Sequence, residues 1–187
     1  MFIQTEATPN PETLKFLPGK TVMESGVLEF RTTEEAVISP LAQRLFAVDG
    51  VTGVFLGADF ISVSKDGTAW EHLKPAVLGA IMEHYLSGDP VVDDPSAAPV
   101  ESEGEEFAEQ DAATVAMIKE ILDERVRPAV AGDGGDIIFR AYKDGVVHLS
   151  MRGACAGCPS STMTLQMGIQ NLLRHFIPEV QEVRPVA

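Results

Sequence analysis

Two cysteines, Cys155 and Cys158, are the residues of this chain best suited to chemistry, and they are its only cysteines. They enclose Ala156 and Gly157, so the motif is Cys-x-x-Cys. A secreted domain framed by disulfides usually contains more cysteines, scattered along the chain. In a reducing compartment, a close pair instead suggests metal or redox chemistry. We therefore take this loop as the candidate functional site.

The residues around the pair predict a loop between a strand and a helix. Pro159 suits the first turn of a helix, where an N–H group has no helical partner in any case. Backbone N–H groups at a helix start favour negative charge, so we expect lowered pKa values for both cysteines. Gly153 and Gly157 carry no side chain, which would let the backbone approach a sulfur-bound ligand closely.

Four interpretations of the pair are open from the residues alone. An iron–sulfur cluster normally takes four thiolates, so two chains would have to share it. A zinc site needs the same number of ligands, or two added histidines, and the four histidines show no His-x-x-x-His spacing. A dithiol–disulfide redox pair also follows a strand and precedes a helix, as in thioredoxin. The fourth interpretation is a pair of inert cysteines in a turn.

The elements predicted around the motif favour metal or cluster chemistry. A thioredoxin-like protein needs a βαβ unit before its motif, whereas Asp144-Gly145 predicts an antiparallel hairpin of residues 137–143 and 146–151. A loop of small residues at a polar helix start is also a poor place to bury sulfur in an apolar core. The redox pair and a zinc-stapled dimer remain the alternatives.

The charge of the chain predicts two domains and a linker. The formal net charge is −14, and residues 87–111 contain nine acidic and no basic residues, together with prolines and glycines. Residues 1–86 carry a net charge of −5, and residues 112–187 carry none. An acidic stretch poor in large apolar residues is typical of a disordered linker. We therefore predict domains at 1–86 and 112–187, joined by a flexible acidic linker at 87–111.

Composition also argues against several partners. A net charge of −14 without a basic stripe disfavours binding to nucleic acid or to an anionic membrane. No apolar run approaches the roughly 18 residues that a membrane span requires. The first residues show neither a signal peptide nor an Arg-rich transit peptide, so the expected location is the cytoplasm.

Hydrophobic periodicity and turn residues predict helices and strands in both domains. In the first domain they are strands near 2–6 and 13–17, a helix at 40–48 capped by Ser39, a hairpin at 51–56 and 60–64, and a helix at 70–86. In the second they are a helix at 112–127 ended by Pro128, the hairpin, a helix at 160–176 and an edge strand within 180–186. The fold class is therefore α+β: two small domains, each a short antiparallel β-sheet packed with helices, joined by a disordered acidic linker.

Two further motifs carry weaker signals. Gly132-Asp133-Gly134-Gly135-Asp136 lacks the spacing of a phosphate-binding loop, and we interpret it as a tight turn before the hairpin. Met163 and Met167 follow the cysteines at helical spacing, which is more typical of core filler or a dimer contact than of a copper site.

Both domains resemble those of the Nfu (NifU-like) family. The second domain matches its NifU C-terminal domain through Asp133-Gly134-Gly135-Asp136-Ile137 and Gly153-Ala154-Cys155-Ala156-Gly157-Cys158-Pro159. The first matches its N-terminal domain through Gln4-Thr5-Glu6-Ala7-Thr8-Pro9-Asn10-Pro11 and Gly57-Ala58-Asp59-Phe60-Ile61. Together the two matches cover nearly all of the chain outside the linker.

The resemblance implies a scaffold or carrier of iron–sulfur clusters rather than an enzyme, with no catalytic residues. It implies that Cys155 and Cys158 of two subunits hold one labile cluster, [4Fe–4S] by preference, in a homodimer. An upstream assembly scaffold would supply the cluster, and apo iron–sulfur proteins would accept it. The N-terminal domain has no cysteine, so we expect it to recognise partner proteins.

Overall fold

The computed structural model of the chain describes residues 1–97, 104–157 and 159–186. It divides into two compact units, Met1–Glu101 and Ser102–Ala187. Each unit combines a β-sheet with helices, which confirms the predicted α+β class. No helix among the described residues is both long enough and apolar enough to span a bilayer.

The first unit contains a five-stranded antiparallel sheet with strand order β1-β2-β5-β4-β3. Its strands are β1 (Gln4–Ala7), β2 (Thr13–Leu17), β3 (Leu28–Phe30), β4 (Val51–Leu56) and β5 (Ile61–Lys65). Its helices are α1 (Pro40–Phe46) and α2 (Trp70–Ser87). Sequence patterns located all of these elements except β3, which is too short to show an alternation.

Ser39 begins α1 as predicted. Its hydroxyl accepts a hydrogen bond from the Ala42 N–H group at 3.1 Å and donates one to the Val91 carbonyl at 2.6 Å. The Asp93 N–H group donates to the Ile38 carbonyl at 2.8 Å. Residues 91–93 therefore bond to the first unit, although they fall within the predicted linker.

The rest of the predicted linker includes a strand of the second unit and a stretch that lies outside the described residues. Residues 98–103 are not among the described residues, whereas Glu106–Phe107 forms strand β6 of the second unit. The flexibility of residues 87–111, and the domain boundaries drawn from it, stay predictions.

Helix α2 packs through an inner stripe that ends on a histidine. Leu73, Val77 and Ile81 lie at steps of four residues and are buried, but the next buried residue is His84 rather than Tyr85, to which a further step of four would lead. Repeated steps of four residues drift around a helix of 3.6 residues per turn, and a step of three restores the stripe.

The second unit contains a four-stranded sheet with order β6-β7-β8-β9. Its remaining strands are β7 (Gly135–Lys143), β8 (Val146–Gly153) and β9 (Glu182–Val186), and its helices are α3 (Ala112–Ile121), α4 (Arg127–Gly132) and α5 (Pro159–Phe176). The central pair β7 and β8 is antiparallel, as predicted, but both edge strands run parallel to their neighbours. Helices connect β6 to β7 and β8 to β9, and a helical crossover returns the chain in a parallel direction.

Pro128 does not end the helical region as predicted. A π-helical turn, Leu122–Val126, follows α3, and the chain continues as α4 to Gly132. The wider turn shifts the hydrogen-bonding register and places Pro128 in the first turn of α4. There its missing N–H group has no helical partner to lose.

The hairpin turns at Asp144 and Gly145, both with positive φ (51° and 80°), as expected for a two-residue turn of this composition. One face of the sheet packs against the helices. Its core includes Val115, Ile118, Leu122, Ile137, Phe139, Leu149, Met151, Cys155, Ile169 and Leu173. Phe176, which continues the apolar spacing of Leu172 and Leu173 on α5, is nevertheless 46% exposed, and its ring centroid lies 4.9 Å from the Arg125 guanidinium.

Candidate functional site

Cys155 lies in the loop between the end of β8 and the start of α5, as predicted. The Ala154 N–H group donates to the Gly134 carbonyl at 3.2 Å, and the Cys155 N–H group donates to the Arg152 carbonyl at 3.3 Å. From the other side, the Thr162 hydroxyl donates to the Cys155 carbonyl at 3.0 Å. The loop backbone is thereby tied both to the turn before β7 and to the first turns of α5. Cys158 lies outside the described residues.

Gly135 is in close contact with Cys155. A Cβ atom built on Gly135 would lie 2.6 Å from the Cys155 sulfur and 2.5 Å from the Arg152 carbonyl oxygen. Real Cβ atoms do not approach other heavy atoms so closely, so only glycine fits at this position without displacing the loop. This glycine belongs to the stretch that the sequence presented only as a tight turn.

An ion pair anchors the strand that contacts Cys155. Nε and one terminal nitrogen of Arg127 donate to the two carboxylate oxygens of Asp136 at 2.9 and 2.8 Å. The Asp136 residue is 4% exposed, and the carboxylate raises the pKa of Arg127 above its usual value. Arg127 also bonds to Asp123 at 3.2 Å, one turn back. Asp136 follows Gly135, so the pair fixes the start of β7 against the helical region.

The Cys155 thiol is buried, with 7% of the residue exposed. Burial raises the pKa of this thiol to about 12, and the nearby carboxylates of Asp133 and Asp136 add to the effect. The expected lowering of the Cys155 pKa is therefore wrong for this conformation. The sulfur is packed against Gly135 in the core, and loss of hydration disfavours the thiolate.

Two glycines flank this loop with backbone conformations that few other residues adopt. Gly153 has φ of 62° and Gly157 has φ of 81°.

Arg152, beside the loop, donates from Nε to the Ser150 hydroxyl at 3.3 Å. Within the described part of the chain, no three His, Cys, Asp or Glu side chains come together as a metal site.

Sequence reasoning missed the roles of Gly135, Asp136 and Arg127. The signal available was the hairpin itself, because a turn at Asp144-Gly145 places the start of β7 beside the end of β8. Counting back from that turn brings the glycine-rich stretch next to the cysteine loop.

Two family models match the chain. "Scaffold protein Nfu/NifU N terminal" matches residues 3–88, and "NifU-like domain" matches residues 118–184. The chain belongs to the Nfu/NifU-like family. This family is one of scaffold proteins rather than of catalysts, and the resemblance stated from the sequence motifs is confirmed.

Curated relatives of the Nfu family align over nearly the whole chain. "NFU1 iron-sulfur cluster scaffold homolog, mitochondrial" from Homo sapiens is 48% identical over 188 residues, covering 100% of this chain and 72% of that protein. Its namesake from Drosophila sechellia is 52% identical, covering 100% and 65%. "NifU-like protein 4, mitochondrial" from Arabidopsis thaliana is 48% identical, covering 98% and 65%. The chain thus spans about two thirds of the length of these relatives.

These names correct one expectation. Each of the three relatives is named as mitochondrial, so the predicted cytoplasmic location is wrong. The prediction rested on the absence of a targeting pattern near the N-terminus, and the described residues there form β1 instead. A strand in a folded sheet says nothing about the compartment.

Among solved structures, a NifU-like protein from Saccharomyces cerevisiae matches with a TM-score of 0.46 and 28% identity, covering 50% of this chain and 86% of that one.

Proposed function

We propose that this chain is a scaffold and carrier that holds an iron–sulfur cluster and passes it to apo-proteins. The observation that carries the proposal is the position of Cys155, the first residue of the Cys-x-x-Cys motif, between β8 and α5 of a NifU-like domain. The relatives from Homo sapiens and Drosophila sechellia are named as iron–sulfur cluster scaffold homologs. Cys155 and Cys158 are the proposed ligands.

The donor chemistry fits such a cargo. Iron–sulfur clusters are bound by cysteine thiolates, and [4Fe–4S] takes four of them. The sequence supplies two cysteines, so two chains would together provide the full set. We therefore propose one [4Fe–4S] cluster per homodimer.

Binding requires the Cys155 sulfur to leave its contact with Gly135. Gly153 and Gly157, on either side, are the positions where the loop backbone can rearrange at least cost. Iron binds the thiolate and so displaces the thiol proton, which couples loading to proton release. We call the position in which the Cys155 sulfur packs against Gly135 the closed position. In this position the thiol stays protonated and shielded from solvent.

The burial of Cys155 and the raised pKa of its thiol weaken the alternative of a dithiol–disulfide redox pair. A nucleophilic cysteine of a dithiol–disulfide enzyme has a lowered pKa and is accessible. Cys155 has a pKa raised to about 12 and is buried. A scaffold needs a thiolate only when metal is present, so the raised pKa is compatible with it.

Delivery follows as ligand exchange. Thiolates of an apo iron–sulfur protein replace the Cys155 and Cys158 sulfurs on iron one at a time, with no change in oxidation state. An upstream assembly scaffold supplies the cluster by the same exchange. The first unit has no cysteine, and we propose that it recognises these protein partners.

Anaerobic reconstitution with iron and sulfide tests the proposal. We expect a brown protein with one [4Fe–4S] cluster per two chains by metal and sulfide analysis, and a dimer by native mass spectrometry. Cys155→Ser and Cys158→Ser should each lose the cluster, whereas Ser161→Ala beside them should keep it. A colourless protein, or stoichiometric zinc in the purified dimer, would reject the proposal.

Recognition by the first unit has a separate test. Residues 102–187 alone, which keep strand β6 of the second unit, should deliver cluster more slowly than the full chain to at least one acceptor. Equal rates for every acceptor would reject a recognition role without affecting the cluster site.

A further inference from the structure

We infer that the outward face of α5 is the surface on which a second copy of this chain docks when the cluster binds. The inference rests on the proposed function, because it needs a cluster shared between two chains. It adds the location of the contact, which four-thiolate ligation alone does not give.

The outward face is a single stripe along α5. Its exposed residues follow the spacing i, i+3, i+4, i+7, i+8 and i+11, which lies on one side of a helix. They are Ser160, Met163, Thr164, Met167, Gly168 and Asn171, and the exposed residues Arg174 and His175 follow at the end of the helix far from the cysteine loop. Met163 is 65% exposed and Met167 is 49% exposed, so neither fills the core.

The opposite sides of α5 are already occupied. Ile169 and Leu173 are buried in the core of the second unit. Gln166 donates to the Val183 carbonyl at 2.6 Å, and Gln170 accepts from the Val183 N–H group at 3.1 Å, which ties α5 to β9. Among the described residues of α5, the exposed ones are those of this stripe and, at the end of the helix, Arg174, His175 and Phe176.

The absence of charged residues on this face of α5 favours a second copy of the chain as its binding partner. Residues 153–173 contain no Asp, Glu, Lys or Arg, although 22% of the whole chain is charged. Two chains of net charge −14 repel each other as whole molecules, although residues 112–187, which contain α5, carry no net charge. Across a two-fold axis, a residue near the axis meets its own copy, so a charge there would face a like charge. An uncharged stripe is therefore suited to self-association.

The position of the stripe supports the same occupant. Ser160 is two residues after Cys158, so the stripe begins beside the proposed ligands. A cluster held by four cysteines of two chains brings the first turns of two α5 helices together. Met163, one turn further along, is then the first large side chain available for contact between them.

The size of the stripe argues against a permanent complex. The twelve residues of range 160–171 form a helical stretch about 18 Å long. A strip of that length, about 10 Å wide, falls well short of the roughly 800 Å² per partner that stable complexes bury. We expect the two copies to separate without the cluster and to associate when the four cysteine ligands complete the contact.

Opposite charges at one position test the inference with the full chain. Met163→Glu and Met163→Lys should each repel its own copy and, after anaerobic reconstitution with iron and sulfide, lose about tenfold or more of the cluster-bound dimer. An equimolar mixture, with one variant labelled with ¹⁵N, should recover the cluster in a mixed dimer of intermediate mass. Met117→Glu and Met117→Lys are the matched controls, since Met117 is 44% exposed on α3, and each should load normally.

Each alternative outcome is distinguishable. If either position-163 variant alone forms the cluster-bound dimer at the wild-type level, α5 is not the docking face, while the proposed function stands. If those dimers form but no longer deliver cluster to an apo-protein, the face binds acceptors and the inference is overturned. If wild-type protein takes up no cluster, the proposed function fails and the inference with it. Circular dichroism of the unmixed variants, matching wild type, excludes misfolding as the cause of loss.

Discussion

Gly135 and Cys155 are packed so closely that a methyl group on Gly135 would lie 2.6 Å from the cysteine sulfur. The two residues are 20 positions apart, and the β7–β8 pairing brings them together, with Gly135 directly opposite Gly153. One half of the candidate ligand pair is thus part of the core of its domain. Several measurable properties depend on this contact.

Gly135→Ala should expel Cys155 from its closed position. The added methyl group meets both the sulfur and the Arg152 carbonyl, and overpacking of this kind costs about 1–3 kcal/mol. We expect a lower free energy of unfolding and faster labelling of Cys155 by a thiol reagent, read with Cys158→Ser as background. Gly132→Ala is the control, because a Cβ atom there has no neighbour within 4 Å. Unchanged labelling in Gly135→Ala would contradict the packing argument.

Asp136→Asn should destabilise the second unit by about 1–3 kcal/mol, since it removes a charge-assisted pair and leaves the Arg127 guanidinium without its buried partner. Asp123→Asn, which removes the exposed partner of the same arginine, should cost less than about 1 kcal/mol. Urea denaturation measures both. If the two variants lose equal stability, the buried carboxylate has no special role.

Cys155 should make the stability of the second unit depend on alkaline pH. Its pKa is raised from the ordinary value of 9.0 to about 12 in the folded state, so the folded chain retains a proton that the unfolded chain releases. The resulting stabilisation is complete below pH 9 and is lost as pH rises from 9 toward 12. Other groups also titrate in that range, so the measurement is the difference between wild type and Cys155→Ser. A difference that stays constant between pH 8 and pH 11 would contradict the prediction.

His84 should make the first unit less stable in acid. The histidine is fully buried, and neither ring nitrogen has a hydrogen-bond partner within the described residues. Burial lowers its pKa, with the Arg44 charge adding and Asp89 opposing. The unfolded chain therefore takes up a proton that the folded chain excludes, so stability falls as pH decreases below 6.5.

His84→Leu should remove this acid sensitivity and raise stability more at pH 6 than at pH 8. Thermal unfolding across that range measures the effect, with His72→Gln on the exposed side of α2 as the control. A variant that keeps the wild-type pH profile would show that another group is responsible.

The sequence predicted the hairpin, its turn and the position of the cysteine loop, because Asp144-Gly145 and the alternating strands are local signals. It could not predict the register in which β7 and β8 pair at the end of the hairpin away from this turn. Arg140 forms a β-bulge, so Lys143 pairs with Val146 near the turn, whereas Asp136 pairs with Arg152 rather than with Gly153. The bulge also changes which residues face inward, from Ile137 and Phe139 to Tyr142. Such a shift is decided by packing across the whole sheet.

Met163 and Met167 show a second limit of local patterns. Their spacing suits a helix face but does not say whether that face is buried, because the decision depends on where β9 lies. Gln166 and Gln170 bind the backbone of Val183, which fixes the rotation of α5 and turns the methionines outward. Periodicity located the helix, and long-range hydrogen bonds set its orientation.

The closed position of Cys155 has a consequence for how tightly a cargo can be held. A ligand residue that must leave the core in order to bind metal subtracts the free energy of that departure from the binding free energy. The same quantity is regained each time the cluster departs and the sulfur returns to Gly135. With Cys155 as a cluster ligand, as we propose, the fold favours handover, because it weakens retention of the cluster without weakening the individual iron–sulfur bonds.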